Sequence, residues 1–311
     1  MSSLNECRQT LSLSKNLQHF MRQHPLFSFF FMAYAFSWIT LIPYILSQWN
    51  VLPNIPFFQI FFVLNPFVGP TLSAYIMNRI TEGKAGLLNM RKRLRLLKVG
   101  WHWYAFILLG IPVMMLLGII ILPGALASFL GLPSSFLITY IIYFIAIFFG
   151  GGPLGEEIGW RGFALPRMQT RYGALRATIL LGILWTFWHL PHFLTTSQRG
   201  GPGFSSSIFY INLPIFFLLV MSITVIMTWV FNHTKGSIFI AILLHASINT
   251  FGMVVSLYSA PIVTSTDLPI AIGLGALAIA ILIFTRGKLG YQTDTDKEQI
   301  QTIMGNNKFT S

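Results

Sequence analysis

Apolar residues along this chain gather into runs, and eight of these approach the roughly 20 residues that carry a helix across a hydrocarbon core of about 30 Å. They lie near 26–49, 55–78, 101–122, 136–153, 177–197, 207–231, 237–258 and 268–286. The pattern predicts an all-α polytopic integral membrane protein of about eight transmembrane helices. The first run is too long, and has too many successors, for a cleaved signal peptide, so a retained helix is expected. Residues 1–25 and 287–311 then read as polar tails around one helical domain at 26–286, without internal repeat, low-complexity segment or soluble domain.

Composition agrees. The chain has 311 residues, 54% hydrophobic and 9% charged, against about 25% charged in a soluble domain; its mean hydropathy is +0.69. With both termini placed inside, every Lys and Arg except Arg199 falls on the cytoplasmic side of the eight runs, as the bias of basic loops toward the cytoplasm requires. The net charge of +12 therefore follows membrane topology. It forms no groove with interleaved aromatics, which argues against a nucleic-acid partner. The stretch "NMRKRLRLLKVG" (89–100) is expected to face anionic lipid headgroups. The lone Cys7 can form no internal disulfide.

Acids are scarce and sorted. Glu6, Glu82, Asp267, Asp294, Asp296 and Glu298 lie in tails or loops, which leaves Glu156 and Glu157 in "GEEIGWRGFALPRMQ" (155–169). They follow "FFGGGPLG" (148–155), where Gly150, Gly151, Gly152, Pro153 and Gly155 are expected to end or bend a helix. Broken backbone at membrane depth is tolerated where it is buried in protein or lines a watery cavity, so a polar chamber is expected. On a helix restarting near Leu154, Glu157 and Arg161 share a face and can pair. Glu156 points about 100° away, free for chemistry. The bland alternative is that both glutamates form interfacial ion pairs.

Three of the seven histidines fall within spans: His189 and His192 in "LWTFWHLPHFL" (184–194), and His245 in "AILLHASINT" (241–250). Buried imidazoles need polar partners. His245 and Asn249 stand one turn apart and can act on one object, although such a pair is more often a device for joining helices. His189 and His192 also share a face, beside Pro191, and spacing does not choose between them.

"EEIGWRGFALPRMQ", "WTFWHLPHF" and "HASIN", in that order, resemble the motifs of the type II CAAX prenyl protease and bacteriocin-processing family of intramembrane proteases. The resemblance covers roughly 150–252. One departure is that Trp185 stands where the second motif is often described with Phe. Aligning "WHLPHF" assigns the family histidine to His189. The resemblance implies an eight-helix fold around a polar chamber, in a bacterial plasma membrane, and peptide hydrolysis without a covalent intermediate. Glu156 and His189 would hold and activate water, His245 and Asn249 would stabilise the oxyanion, and Glu157 with Arg161 would support them. It implies a membrane-associated protein or peptide substrate, prenylated in some hosts, and no cofactor.

A zinc ion held by Glu156, His189, His192 and His245, with Asn249 behind them, is the rival chemistry. The chain has no HExxH to favour it. Rival functions are a proton-coupled transporter, which such residues could serve, and a non-catalytic binding or immunity protein. A transporter would be expected to show paired halves with discontinuous helices, and no second copy of the Glu motif occurs.

Overall fold

The computed structural model describes residues 15–150, 152–195 and 206–292. Cys7, Arg199 and the acids Glu6, Asp294, Asp296 and Glu298 lie outside these residues. Eight helical spans are long and apolar enough to cross a membrane. Helices α1 (Pro25–Gln48) and α2 (Pro56–Thr81) precede a polar helix α3 (Gly83–Leu94), and α4 is Trp101–Ile120. The fourth span is broken into α5 (Phe136–Gly150) and α6 (153–172). Then come α7 (Ala174–Leu194), α8 (Ser206–His233), α9 (Ile238–Leu257) and α10 (Leu268–Thr285).

The break between α5 and α6 falls where the glycines and proline lie. Gly152 has φ +105, a left-handed value that favours glycine, and Pro153 opens α6 at a first-turn position. Gly155 corrects the expectation, because it lies inside α6 and breaks nothing. A Cβ there would stand 2.9 Å from Pro66 of α2, and one on Gly159 would stand 2.4 Å from Pro70. These two glycines let α6 press its backbone against α2. Pro66 and Pro70 each lack an amide donor, and the turn from Phe67 to Thr71 relaxes to π-helix. A second π-turn, Trp160–Ala164, lies in α6 just beyond the two glutamates.

Helix α9 is the axis of the bundle: almost every residue from Ile238 to Thr250 is buried. No residue of α5 is buried, so that helix stands at the rim. Helix α10 packs on α8 and α4. Its closest approach to α4 is at Gly118 and Gly273, where added Cβ atoms would meet backbone oxygens at 2.1 and 2.0 Å. Small residues that admit close backbone contact are the usual means of joining helices where lipid removes the hydrophobic incentive.

The connections sort to two ends. At one end Arg22 donates to the Ile80 carbonyl, Arg167 pairs with Glu82, and Asn232 donates to the Leu289 carbonyl. At the other, Leu130 N–H donates to Leu257 and the Trp49 indole to Leu194. Among the described residues that second end carries no Lys or Arg. The basic stretch 89–100 is only partly free to meet headgroups. Arg93 turns inward, donating to the carbonyls of Arg161 (2.7 Å), Gly162 (3.2 Å) and Gly236 (3.0 Å). Burial, and after it the neighbouring Arg167, push its pKa down to about 10, so it remains charged at neutral pH. Three carbonyl dipoles satisfy that charge, which explains why the residue leaves the lipid-facing set.

Candidate active site

Helices α2, α5, α6, α7, α8, α9 and α10 surround a cavity of about 430 Å³. Glu156, His189, His192, His245 and Asn249 all line it. The rest of the lining is mostly apolar, including Phe62, Ile147, Phe216 and Ile248, but Tyr143 and Asp267, which the sequence placed in a loop, also reach it. The expected chamber is present, and the four residues expected to carry chemistry share it.

Glu156 is 5% exposed, one turn inside the start of α6. The sequence suggested a glutamate without a partner. Instead the indole N–H of Trp185 donates to its Oε2 at 2.7 Å. Its other oxygen, Oε1, lies 2.7 Å from where a Cβ on Gly152 would sit. Gly152 thus matters twice: its φ favours glycine, and a Cβ there would push the end of the Glu156 side chain from its place.

Glu157 and Arg161 are both fully buried and paired, with Nη1 at 2.9 Å from Oε2 and 3.0 Å from Oε1. The expected pair is present, but Glu157 does more: Oε1 also accepts from Nδ1 of His245 at 2.8 Å. One carboxylate therefore holds a cation of its own helix and an imidazole of α9. The guanidinium of Arg161 lies 4.5 Å over the Trp185 ring. That face partly compensates Nε and Nη2, which have no hydrogen-bond partner among the described residues.

Histidine tautomers follow from these partners. A carbonyl only accepts, so the 2.8 Å contact between His189 Nδ1 and the Trp185 oxygen puts the proton on Nδ1. Nε2 is left as a lone pair for the chamber. In the same way Glu157 requires a proton on Nδ1 of His245. His245 Nε2 can then donate only from the imidazolium form, for which Glu157 is the counter-ion.

Between His189 and His192 the structure makes no exclusion. Their rings are 5.2 Å apart, edge to face, and both line the cavity. Helix α7 changes to a 3-10 turn at Leu190–Leu194, beside Pro191. His192 Nε2 lies 2.9 Å from the Asn65 amide nitrogen. Sequence reasoning passed over Asn65, although an asparagine inside the apolar run 55–78 was itself a signal. Among the described residues no group of three or more His, Cys, Asp or Glu side chains is arranged to hold a metal ion.

Fold and site together define a polytopic, all-helical integral membrane protein with a titratable chamber between its helices. Residues 134–251 match the family profile described as "Type II CAAX prenyl endopeptidase Rce1-like", and all six motif residues from Glu156 to Asn249 lie within the match. The chain is also similar to "CAAX prenyl protease 2" of Methanococcus maripaludis, at 39% identity over 95 residues. That alignment takes in 30% of this chain and 34% of the relative, about a third of each. Both matches name the family that the three motifs resemble, the Rce1-like type II CAAX prenyl endopeptidases, to which the chain is similar over these stretches.

Proposed function

We propose that this protein is an intramembrane endopeptidase that hydrolyses a peptide bond near the carboxyl terminus of a lipidated, membrane-associated protein. The observation that carries the reading is a carboxylate, an imidazole whose Nε2 is left as a lone pair and a His/Asn pair, all on one cavity with a largely apolar lining. The relative's name supplies the substrate class: a CAAX protein ends in a prenylated Cys followed by three residues.

In this mechanism a water lies between Glu156 Oε1 and His189 Nε2. Glu156 takes its proton while the oxygen attacks the scissile carbonyl carbon. Negative charge moves to the carbonyl oxygen, where Asn249 and the imidazolium of His245 donate to it. One such donor is worth roughly 3 kcal/mol. The carbon–nitrogen bond then breaks and the amine leaves with the proton from Glu156. Glu157 balances the charge on His245 throughout, and Arg161 shares that carboxylate. No residue becomes covalently attached to substrate, and no step calls on a metal.

The apolar walls suit a lipid or aliphatic residues beside the cleaved bond. The exposed basic residues near 89–100 suit anionic headgroups that hold the protein, with both termini cytoplasmic, at the face where lipidated proteins reside. The test compares peptides released from membranes containing wild-type protein with those from membranes containing Glu156→Gln. Fragments ending beside a lipidated cysteine are expected only with the wild type. If the Gln variant keeps the biological effect of the protein, the binding or immunity reading replaces this one.

A further inference from the structure

Trp185 meets four residues of the site: Glu156, Arg161, His189 and His245. It lies on α7, one turn before His189, and is 2% exposed. Its indole N–H donates to Glu156 Oε2, and its backbone oxygen accepts from His189 Nδ1. One ring face meets the Arg161 guanidinium at 4.5 Å, and the ring meets His245 edge-on with centroids 5.3 Å apart. Four polar residues of the site, Glu156, Arg161, His189 and His245, thus meet at one tryptophan.

We propose that Trp185 is a positioning residue: its N–H fixes which oxygen of Glu156 faces the water, and its carbonyl fixes which nitrogen of His189 does. This rests on the hydrolase reading above. A carboxylate turns about its last side-chain bond, and in an apolar wall either oxygen could face the cavity. With Oε2 held by the indole, Oε1 is the oxygen that lies beside Gly152, in the space a Cβ there would fill. The indole is suited to this because it is a donor only and carries no charge. A lysine or arginine there would pair with Glu156 and hold it as an ion, opposing proton uptake. The backbone half of the device survives any substitution at 185, so the side-chain half can be tested alone.

Trp185→Phe keeps a ring under Arg161 and removes the N–H. In full-length protein reconstituted in lipid, with an internally quenched peptide ending in a farnesylated Cys and three further residues, kcat is expected to fall roughly 10- to 100-fold. That is the cost expected of a reacting group misplaced by about 1 Å. KM is expected to stay within about twofold, since the substrate does not meet the indole N–H. A packing defect would instead raise KM or lower the folded yield.

Ultraviolet resonance Raman spectra report indole hydrogen bonding without need of activity. The band that disappears in Trp185→Phe is expected to show a strongly bonded N–H in the wild type and a weakly bonded one in Glu156→Ala. A band unmoved by Glu156→Ala overturns the assignment. So does an unchanged kcat in Trp185→Phe while the wild type cleaves. If the wild type leaves the peptide intact, the hydrolase reading itself fails and takes this role with it.

Discussion

Gly152 shows how much a single residue without a side chain contributes. Its φ of +105 would strain any other residue, by about 1–3 kcal/mol, and its missing Cβ leaves Glu156 Oε1 uncovered. Gly131 offers a control, with φ +91 and nothing within 4 Å of an added Cβ. Alanine at either position is expected to lower the thermal midpoint to a similar degree, but only Gly152→Ala should abolish cleavage. Equal activity of the two variants would show that the carboxylate does not need that gap. Glu157 carries a second prediction. Removing it leaves Arg161 buried without a carboxylate, at about 3–5 kcal/mol, so Glu157→Ala should unfold far below the wild type in a detergent melt. The double variant Glu157→Leu, Arg161→Met should regain stability, since apolar replacement of a buried pair is often neutral. It should not regain activity, because His245 has lost its acceptor.

Among elements, α3 has the widest reach for its size. Arg93 ties it to the π-turn of α6 through Arg161 and Gly162 and to the start of α9 through Gly236, the two helices that carry Glu156, Glu157, His245 and Asn249. Arg93→Ala should cost about 1.5–3 kcal/mol, the usual worth of hydrogen bonds from a charged group. Arg93→Lys should recover little of it, since one ammonium does not span three carbonyls. Chemical denaturation of the purified variants checks both. The sequence made the spans legible because length and hydropathy act locally. It also made Glu157 with Arg161 legible, because one helical turn brings them together. The contacts of Trp185 with Glu156, of His245 with Glu157 and of His192 with Asn65 join different helices, and spacing within one helix holds no information about them. The inward turn of Arg93 and the packing role of Gly155 were hidden for the same reason: each depends on what the bundle places opposite.

At the scale of the whole molecule, the basic end and the end that carries no Lys or Arg among the described residues assign a direction to every span. We read the end that carries α3 as cytoplasmic. The chain has one cysteine, so Cys7→Ser supplies a background for single cysteines. In intact cells a membrane-impermeant maleimide should label a cysteine at position 131 and spare one at position 84. The reverse pattern would invert the topology and move the chamber's chemistry to the other face. The family match takes in residues 134–251 of the chain. All the residues of the proposed mechanism lie there, while α1, α2, α4 and α10, outside the match, pack around it.

The central claim is that Glu156 activates water against an amide bond with no help from a metal. The most direct measurement uses purified protein in lipid vesicles with a farnesylated peptide, exhaustively freed of metal ions, and mass spectrometry of both products. The account predicts two complementary fragments from the wild type at an undiminished rate, and intact peptide from Glu156→Gln. Cleavage that stops when metal is removed, or that survives in Glu156→Gln, would contradict it.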